Sequence, residues 1–494
     1  MQFTLKRMIA TFICMLVMLG SAQVSRAEIR TYEGVGEYIM SDFETPDIAK
    51  QRAKARAEQH AAEQAGVYVK SYTRTVNNTL VEDEIVAIAN MIIKITDVQY
   101  TTTPTSESGG SFQIVAKIHA TIDSDRIDEW LKRDQSKNWE LVERNKQLQA
   151  DKAKLDEELT ELRQKLTEVT SVQEKQAVEK KVVSTDSKFL ANQKIKEGQR
   201  LYNDGKYVEA VAMFSQAIGL DGKSLEGYLG RGAAYYVQGN YSQAITDYNE
   251  VIAIDSNYAD VYFNRGLVYG RQGDYTQAIA DFTKVIDLSP NDPKAYVARG
   301  LIYGTKGKYM QAVADCNKAI ALNPNYADVY FVRGYAYSYQ GNYARAVIDY
   351  NKAIDINPNY VEAYVARGYD YSTQGKYMEA IADYNKAIAI NPNNAEAYFN
   401  RGYAYCKQGD YVQAIFDFTK TIAINPNDAK AYSNRGYAND KQGNYALAIE
   451  DYNKAIGLNP NNPKTYYGRG VAYKHIGNVK QANADFSKAN ELKR

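Results

Sequence analysis

With 494 residues the chain exceeds what one hydrophobic core serves, so two or more folded units are expected. A formal net charge of +1 removes any bulk electrostatic argument for nucleic acid and leaves no acidic tail. The unbalanced figure is 43 Tyr against 13 Phe and 2 Trp, an excess that a repeated motif with Tyr at fixed positions would supply.

The chain opens with Lys6 and Arg7, an apolar run from Met8 to Gly20, and a small-residue exit at Ser25-Arg26-Ala27. This order fits a secretory signal peptide over residues 1–27, cleaved after Ala27 or, as the rival site, after Ala22. The run is short for a bilayer span, although an uncleaved anchor is the alternative reading. Cys14 has no small-residue lipidation motif around it. The signal peptide makes the chain an exported one, periplasmic or secreted, and since no later apolar run is long enough to cross a membrane the mature chain is expected to be soluble.

Residues 28–134 read as a small α+β domain. Thr45-Pro46 predicts a helix start, and Gly66 is expected to end a helix carrying Ala49, Ala53, Ala57 and Ala61. Strands are expected near 31–39, 67–76, 85–99 and 111–122, the last alternating Ile114, Ala116, Ile118, Ala120, Ile122. Glu33-Gly34-Val35-Gly36 lacks the third Gly or Lys of a phosphate loop. With this segment opening a strand ahead of the Ala-rich helix, the domain resembles small bacterial envelope lipoproteins and flagellar-assembly N-terminal domains.

Residues 135–175 carry Leu141, Leu148, Leu155, Leu162 and Val169 every seven positions, joined by Leu159 and Leu166. This predicts a coiled-coil helix, through which the chain would form a homo-oligomer; a single spacer helix is the alternative. Residues 176–188 are expected to be a flexible hinge.

From residue 189 a 34-residue period takes over. Gly205, Gly239, Gly273, Gly307, Gly341, Gly375, Gly409, Gly443 and Gly477 share that spacing, and a Tyr follows two residues later in the first eight. The units lie near 191–224, 225–258, 259–292, 293–326, 327–360, 361–394, 395–428, 429–462 and 463–494. In the fifth, a helix from Ala327 to Tyr339 is broken by Gly341, a second runs from Tyr343 to Ile354, and Asn357-Pro358-Asn359 turns the chain onward. The pattern Tyr330, Gly334, Tyr337, Ala346, Tyr350, Ala353, Pro358 resembles the tetratricopeptide repeat. The fold class is therefore mostly α: an α-solenoid of nine helix-turn-helix repeats after a coiled-coil helix and an α+β domain.

One departure from that pattern recurs: an Arg precedes the first-helix Gly. Arg231, Arg265, Arg299, Arg333, Arg367, Arg401, Arg435 and Arg469 occur in the units that carry Asp247, Asp281, Asp315, Asp349, Asp383, Asp417, Asp451 and Asp485. The first unit lacks both, with Glu197 and Met213 instead. Joint presence and joint absence predict an ion pair inside each unit. The alternative is a ladder of Arg reading an anionic ligand.

Asn483 and Asn490 replace recurring Ile or Val in the ninth unit, and Lys194 and Leu201 replace Tyr in the first. These read as caps, with the array expected to be complete at both ends. The resemblance implies that first helices line a concave groove. There Phe263, Phe331 and Phe399 in one column, and Tyr335, Tyr369, Tyr403 and Tyr437 in another, become candidate partner contacts, with packing between first helices as the competing reading. Asp370 and Asn439 place polar groups where other units are apolar or Tyr, and local weakness of the array is expected there.

Cys316 and Cys406 fall on different helices of different units, so no disulfide joins them. His60, His119 and His475 show no metal-ligand spacing, and no nucleophile motif or phosphate loop occurs. No catalytic residue, metal or cofactor is expected. The reading is a non-enzymatic protein-protein interaction scaffold of the bacterial envelope, with a peptide or protein partner and no nucleic acid. The alternative is a structural envelope component anchored by its N-terminal domain, with the array as spacer or self-assembly surface.

Overall fold

The computed structural model describes residues 29–40, 44–75, 82–105, 112–125, 127 and 135–493. The expected signal peptide lies outside these residues. The chain forms two compact units, one ending at Ser256 and one beginning at Asn257.

The first unit opens with β1 (Ile29–Met40), α1 (Pro46–Thr75), α2 (Glu82–Ile92), β2 (Lys94–Pro104) and β3 (Phe112–Asp123). The strands form an antiparallel sheet in the order β1-β3-β2. The alternating apolar face of β3, Ile114 to Ile122, packs on Ala49, Ala53, Ala57 and Ala61 of α1, all buried. Alanine every fourth residue leaves a flat helix face, and two glycines let the sheet reach it. A Cβ on Gly34 would stand 2.1 Å from the Ala57 carbonyl oxygen, and one on Gly36 2.1 Å from that of Ala53. Close approach of strand to helix is the role of the Gly-x-Gly segment.

Three expectations fail here. The helix does not end at Gly66, and residues 67–75 are helical rather than a strand. Tyr68 and Val69 gave that stretch a strand-like composition, but both are buried against the core as part of α1. Gly66 instead leaves room for α2, whose Ile85 lies 3.4 Å from where its Cβ would be. Likewise the strand expected over 85–99 divides into α2 and β2.

The helix α3 (Gln135–Glu168) stops short of Val169, and Ser171 caps α4 (Val172–Asn203) by accepting a hydrogen bond from Glu174 N. The hinge expected over 176–188 is therefore continuous helix. Its inward face includes Thr185 and Asp186, polar residues that hid the helical period in the sequence. The helix α4 returns along α3: Leu159, Leu162 and Leu166 bury against Val182, and Leu148 packs near Ala191 and Ile195. The heptad stripe is thus closed, over those turns, by the same chain.

With α5 (Tyr207–Leu220), α6 (Leu225–Val237) and α7 (Tyr241–Ile254), α4 makes the first two repeats. The first unit's outer side is covered by α3 through Leu148, so more than polar substitution caps it. The second compact unit continues as alternating helices from α8 (Ala259–Gln272) to α21 (Val479–Glu491). The nine turn glycines, Gly205 to Gly477, have φ between 71° and 84°, a left-handed backbone that links the two helices of each repeat. Asn483 and Asn490 are exposed on the last helix.

Candidate functional site

The Arg on each first helix points at the second helix of its own unit. Its guanidinium takes the Asp carboxylate in a fork: Arg333 Nε donates to Asp349 Oδ2 at 2.8 Å and Nη2 to Oδ1 at 2.7 Å. The pairs Arg231–Asp247, Arg265–Asp281, Arg299–Asp315, Arg367–Asp383, Arg401–Asp417, Arg435–Asp451 and Arg469–Asp485 close to between 2.6 and 2.8 Å. Each Asp is buried. The Asp349 carboxylate holds the Arg333 guanidinium above its ordinary value, against the opposing effect of burial. These guanidiniums are committed to carboxylates and do not form a ladder for an anionic ligand.

A third donor extends the rungs within each compact unit. Arg333 Nη1 donates to Asn317 Oδ1 of the preceding repeat at 2.7 Å, Arg299 to Thr283 at 3.0 Å and Arg469 to Asn453 at 2.6 Å. Arg231 reaches Ser215 at 3.1 Å in the same way. The sequence reading missed this link. A visible signal was present in the short polar residue that precedes a Lys on most second helices, as in Thr283-Lys284 and Asn317-Lys318. The Tyr three residues before the Arg supports it from below, Arg333 lying 5.7 Å from the Tyr330 ring centre. Tyr330 in turn donates through its hydroxyl to the Pro324 carbonyl at 3.0 Å, tying the helix to the turn before it. Tyr296 and Tyr364 do the same with Pro290 and Pro358. Much of the Tyr excess is therefore structural.

The candidate contact residues separate into two classes. Phe263, Phe331 and Phe399 are half-buried, each ring against the second-helix ring of its own unit at 5.5, 6.0 and 5.7 Å. They fill the repeat core. Tyr335 is half-buried and its ring lies 4.5 Å from that of Tyr339. Tyr369, Tyr403 and Tyr437 remain open, with 56 %, 41 % and 42 % of their surface exposed. Lys407 and Lys441 sit over the last two rings at 5.2 and 5.5 Å.

The two rule-breaking positions also differ. Asn439 is satisfied: its amide donates to Asp451 Oδ2 at 3.1 Å and joins the rung of that unit. Asp370 is fully buried, with Oδ1 accepting from Ser338 Oγ at 2.6 Å and Oδ2 left without a partner. Burial raises its carboxyl to about 6. Cys316 is buried and Cys406 half-buried, both as free thiols. Among the described residues no cluster of His, Cys, Asp and Glu is arranged to hold a metal ion, and no helix is long and apolar enough to cross a membrane.

Family models described as tetratricopeptide repeats match residues 259–292, 293–326, 327–360, 395–428 and 429–462, and another matches 349–382. A further repeat model of the same kind matches 232–273 and 368–409. No curated protein matches the chain. Among solved structures, MamA is 31% identical, covering 32% of this chain and 94% of its own, with a TM-score of 0.31. A tetratricopeptide repeat protein from Parabacteroides merdae is 21% identical over 50% of this chain and 98% of its own, with a TM-score of 0.44. YrrB, described as a TPR protein with an unusual peptide-binding site, is 23% identical over 36% and 91%, with a TM-score of 0.33. With the period, the paired helices and the matched models in agreement, this chain belongs to the tetratricopeptide repeat family.

Proposed function

We propose that the chain is an exported, non-enzymatic scaffold of the bacterial envelope that holds an extended segment of a partner protein across its first helices. The observation that carries this reading is the column Tyr369, Tyr403, Tyr437, exposed at one position of three consecutive repeats, whereas Phe263, Phe331 and Phe399 of the other column are consumed in packing. A Tyr ring offers a large apolar face and one hydroxyl for a low entropy of ordering, which suits a peptide with few charges. The test is capture by the full-length chain, compared with a variant in which all three residues are Ser. A specific protein retained by the first and lost by the second, at unchanged melting temperature, supports the reading; identical capture by both overturns it.

Self-association through α3 does not enter this proposal, because Leu159, Leu162 and Leu166 are covered by α4. Export rests on the Lys6-Arg7 start and the apolar run after it. Intact-mass measurement of chain recovered from the envelope should give an N-terminus at Glu28 or Gln23. A start at Met1 would refute cleavage. An anchoring role for the N-terminal domain is a second reading, favoured by the continuity of α4 from that domain into the first repeat.

A further inference from the structure

The second helices carry an exposed stripe that neither the rungs nor the Tyr column uses. In each of them the second, sixth and tenth residues stand one above another at four-residue spacing. In α11 (Tyr309–Leu322), α13 (Tyr343–Ile356), α15 (Tyr377–Ile390) and α17 (Tyr411–Ile424) the upper two positions are apolar throughout. Their larger members, Met310, Ile348, Met378 and Phe416, are 80 %, 66 %, 75 % and 51 % exposed. The tenth position is Lys318, Lys352, Lys386 and Lys420, all exposed. The lysine column runs on beyond the apolar rows, to Lys284 on one side and Lys454 and Lys488 on the other.

We propose that this face of units four to seven docks on an anionic lipid bilayer surface, with the apolar side chains entering the headgroup boundary and the lysines resting among the phosphates. The charge on the stripe is uncompensated: outside the buried rungs, the same four helices offer only Asp355 and Glu379 as carboxylates. Lys420 lies 5.5 Å over the Phe416 ring, so cation and apolar group already share one patch. Composition separates a bilayer from an acidic protein as the occupant. Protein interfaces concentrate Arg and are depleted of Lys, whereas in units four to seven the stripe has a Lys in every repeat and no Arg. Met, Ile, Val and Phe beside Lys is the composition of a surface lying in a lipid interface, where the long Lys stem reaches outward while its ammonium stays hydrated. In this chain the aromatic, protein-like contacts are on the first helices and the lipid-like ones on the second.

The test is co-sedimentation of the full chain with vesicles of phosphatidylcholine alone and of phosphatidylcholine mixed with phosphatidylglycerol, at low and high salt. Binding to the anionic vesicles only, weakened by salt, is expected. Each lysine near such a surface contributes roughly fivefold in partition. Replacing the four by Gln should therefore lower partition by roughly a hundredfold or more. Met310→Ser with Phe416→Ser should weaken binding while keeping its salt dependence, and the Tyr-to-Ser variant above should bind as the parent does. All these side chains are exposed, so unchanged melting curves are expected as a control. The proposal is overturned by equal binding to neutral vesicles, by no sedimentation with either kind, or by lysine variants that bind like the parent. It is also overturned if the stripe is protected only by an acidic protein.

Discussion

The glycine on the first helix of every repeat but the fourth is matched to a ring. A Cβ added at Gly334 would lie 2.8 Å from the Tyr350 ring, and the same holds for Gly266 against Phe282 and Gly470 against Phe486. Unit four has Cys316 at the ring position, and a Cβ at Gly300 meets nothing closer than 3.4 Å. Gly334→Ala should destabilise by about 1–3 kcal/mol through overpacking, whereas Gly300→Ala should be neutral or stabilising by about 0.5–1 kcal/mol through helix propensity. Urea titration of the two variants decides it, and equal losses would refute the account. Asp370 adds a pH dependence. Its folded value lies near 6, above the usual carboxylate range, so the folded state resists ionisation. Its penalty is absent below about pH 4, grows as pH rises, and is complete above the folded value, at about 2–3 kcal/mol. Asp370→Ala, the residue of several other units, should therefore raise the melting temperature at pH 7.5 and barely change it at pH 4. Position 370 was visible in the sequence as a breach of pattern. Its partner was not, because Ser338 belongs to the preceding repeat.

At the scale of the helix pair, the Arg–Asp rung was legible because its two members vanish together in the first unit. Its reach into the preceding repeat was legible only in part, since the receiving position is Asn317, Asn351, Asn385 and Asn453 in some repeats but Ser215, Thr283 and Thr419 in others. Removing one partner strands a buried charge. Arg333→Leu or Asp349→Met alone should cost about 3 kcal/mol, and the double replacement less than the sum by at least about 1 kcal/mol. Chemical denaturation of the four proteins gives the coupling; additivity would refute it. Asn317→Ala should cost only about 1 kcal/mol, one hydrogen bond. The N-terminal elements were less legible for a different reason. Residues 67–75 have strand-like composition yet continue α1, because burial of Tyr68 and Val69 in the core outweighs local preference. The expected hinge is helical because Asp186 and Thr185, polar by type, face inward.

Across the first compact unit, a buried charge cluster joins the sheet domain to the helical hairpin. Arg52 of α1 donates to Asp186 of α4 at 2.7 Å and to Asp156 of α3, and lies 3.1 Å from Glu44. Arg163 closes the ring, 2.9 Å from Glu44 and donating to the Tyr38 hydroxyl at 2.6 Å. A second tie pairs Lys196 of α4 with Glu58 of α1 at 3.0 Å. Burial pushes the Glu58 carboxyl up, but Lys196, Arg200 and Lys54 outweigh it and hold it at about 2. A depressed folded value gives stability that is present above the unfolded value and lost as pH falls through the range between about 4 and 2. Acid should therefore loosen the joint between the sheet domain and the hairpin while relieving the Asp370 penalty in the array. Hydrogen exchange at pH 7 and pH 3, corrected for the intrinsic rate at each pH, should give lower protection factors in α4 at the lower pH. Unchanged protection would refute the role of this pair. Arg52→Ala should expose the turn near residue 170 to protease at neutral pH.

Because α4 serves both the sheet domain and the first repeat, the boundary between them is not a place where the chain can be cut. A polypeptide begun at residue 189 would start in mid-helix, lacking Val182, Thr185 and Asp186, and lacking Leu148, which packs on the cluster of Ala191 and Ile195. The first repeat would then present bare apolar surface, and the fragment should aggregate or fray from that end. A start before Ile29 avoids this. The sheet domain is, in effect, the template on which the first repeat is laid, and folding of the first two repeats should report on its integrity before any partner is added.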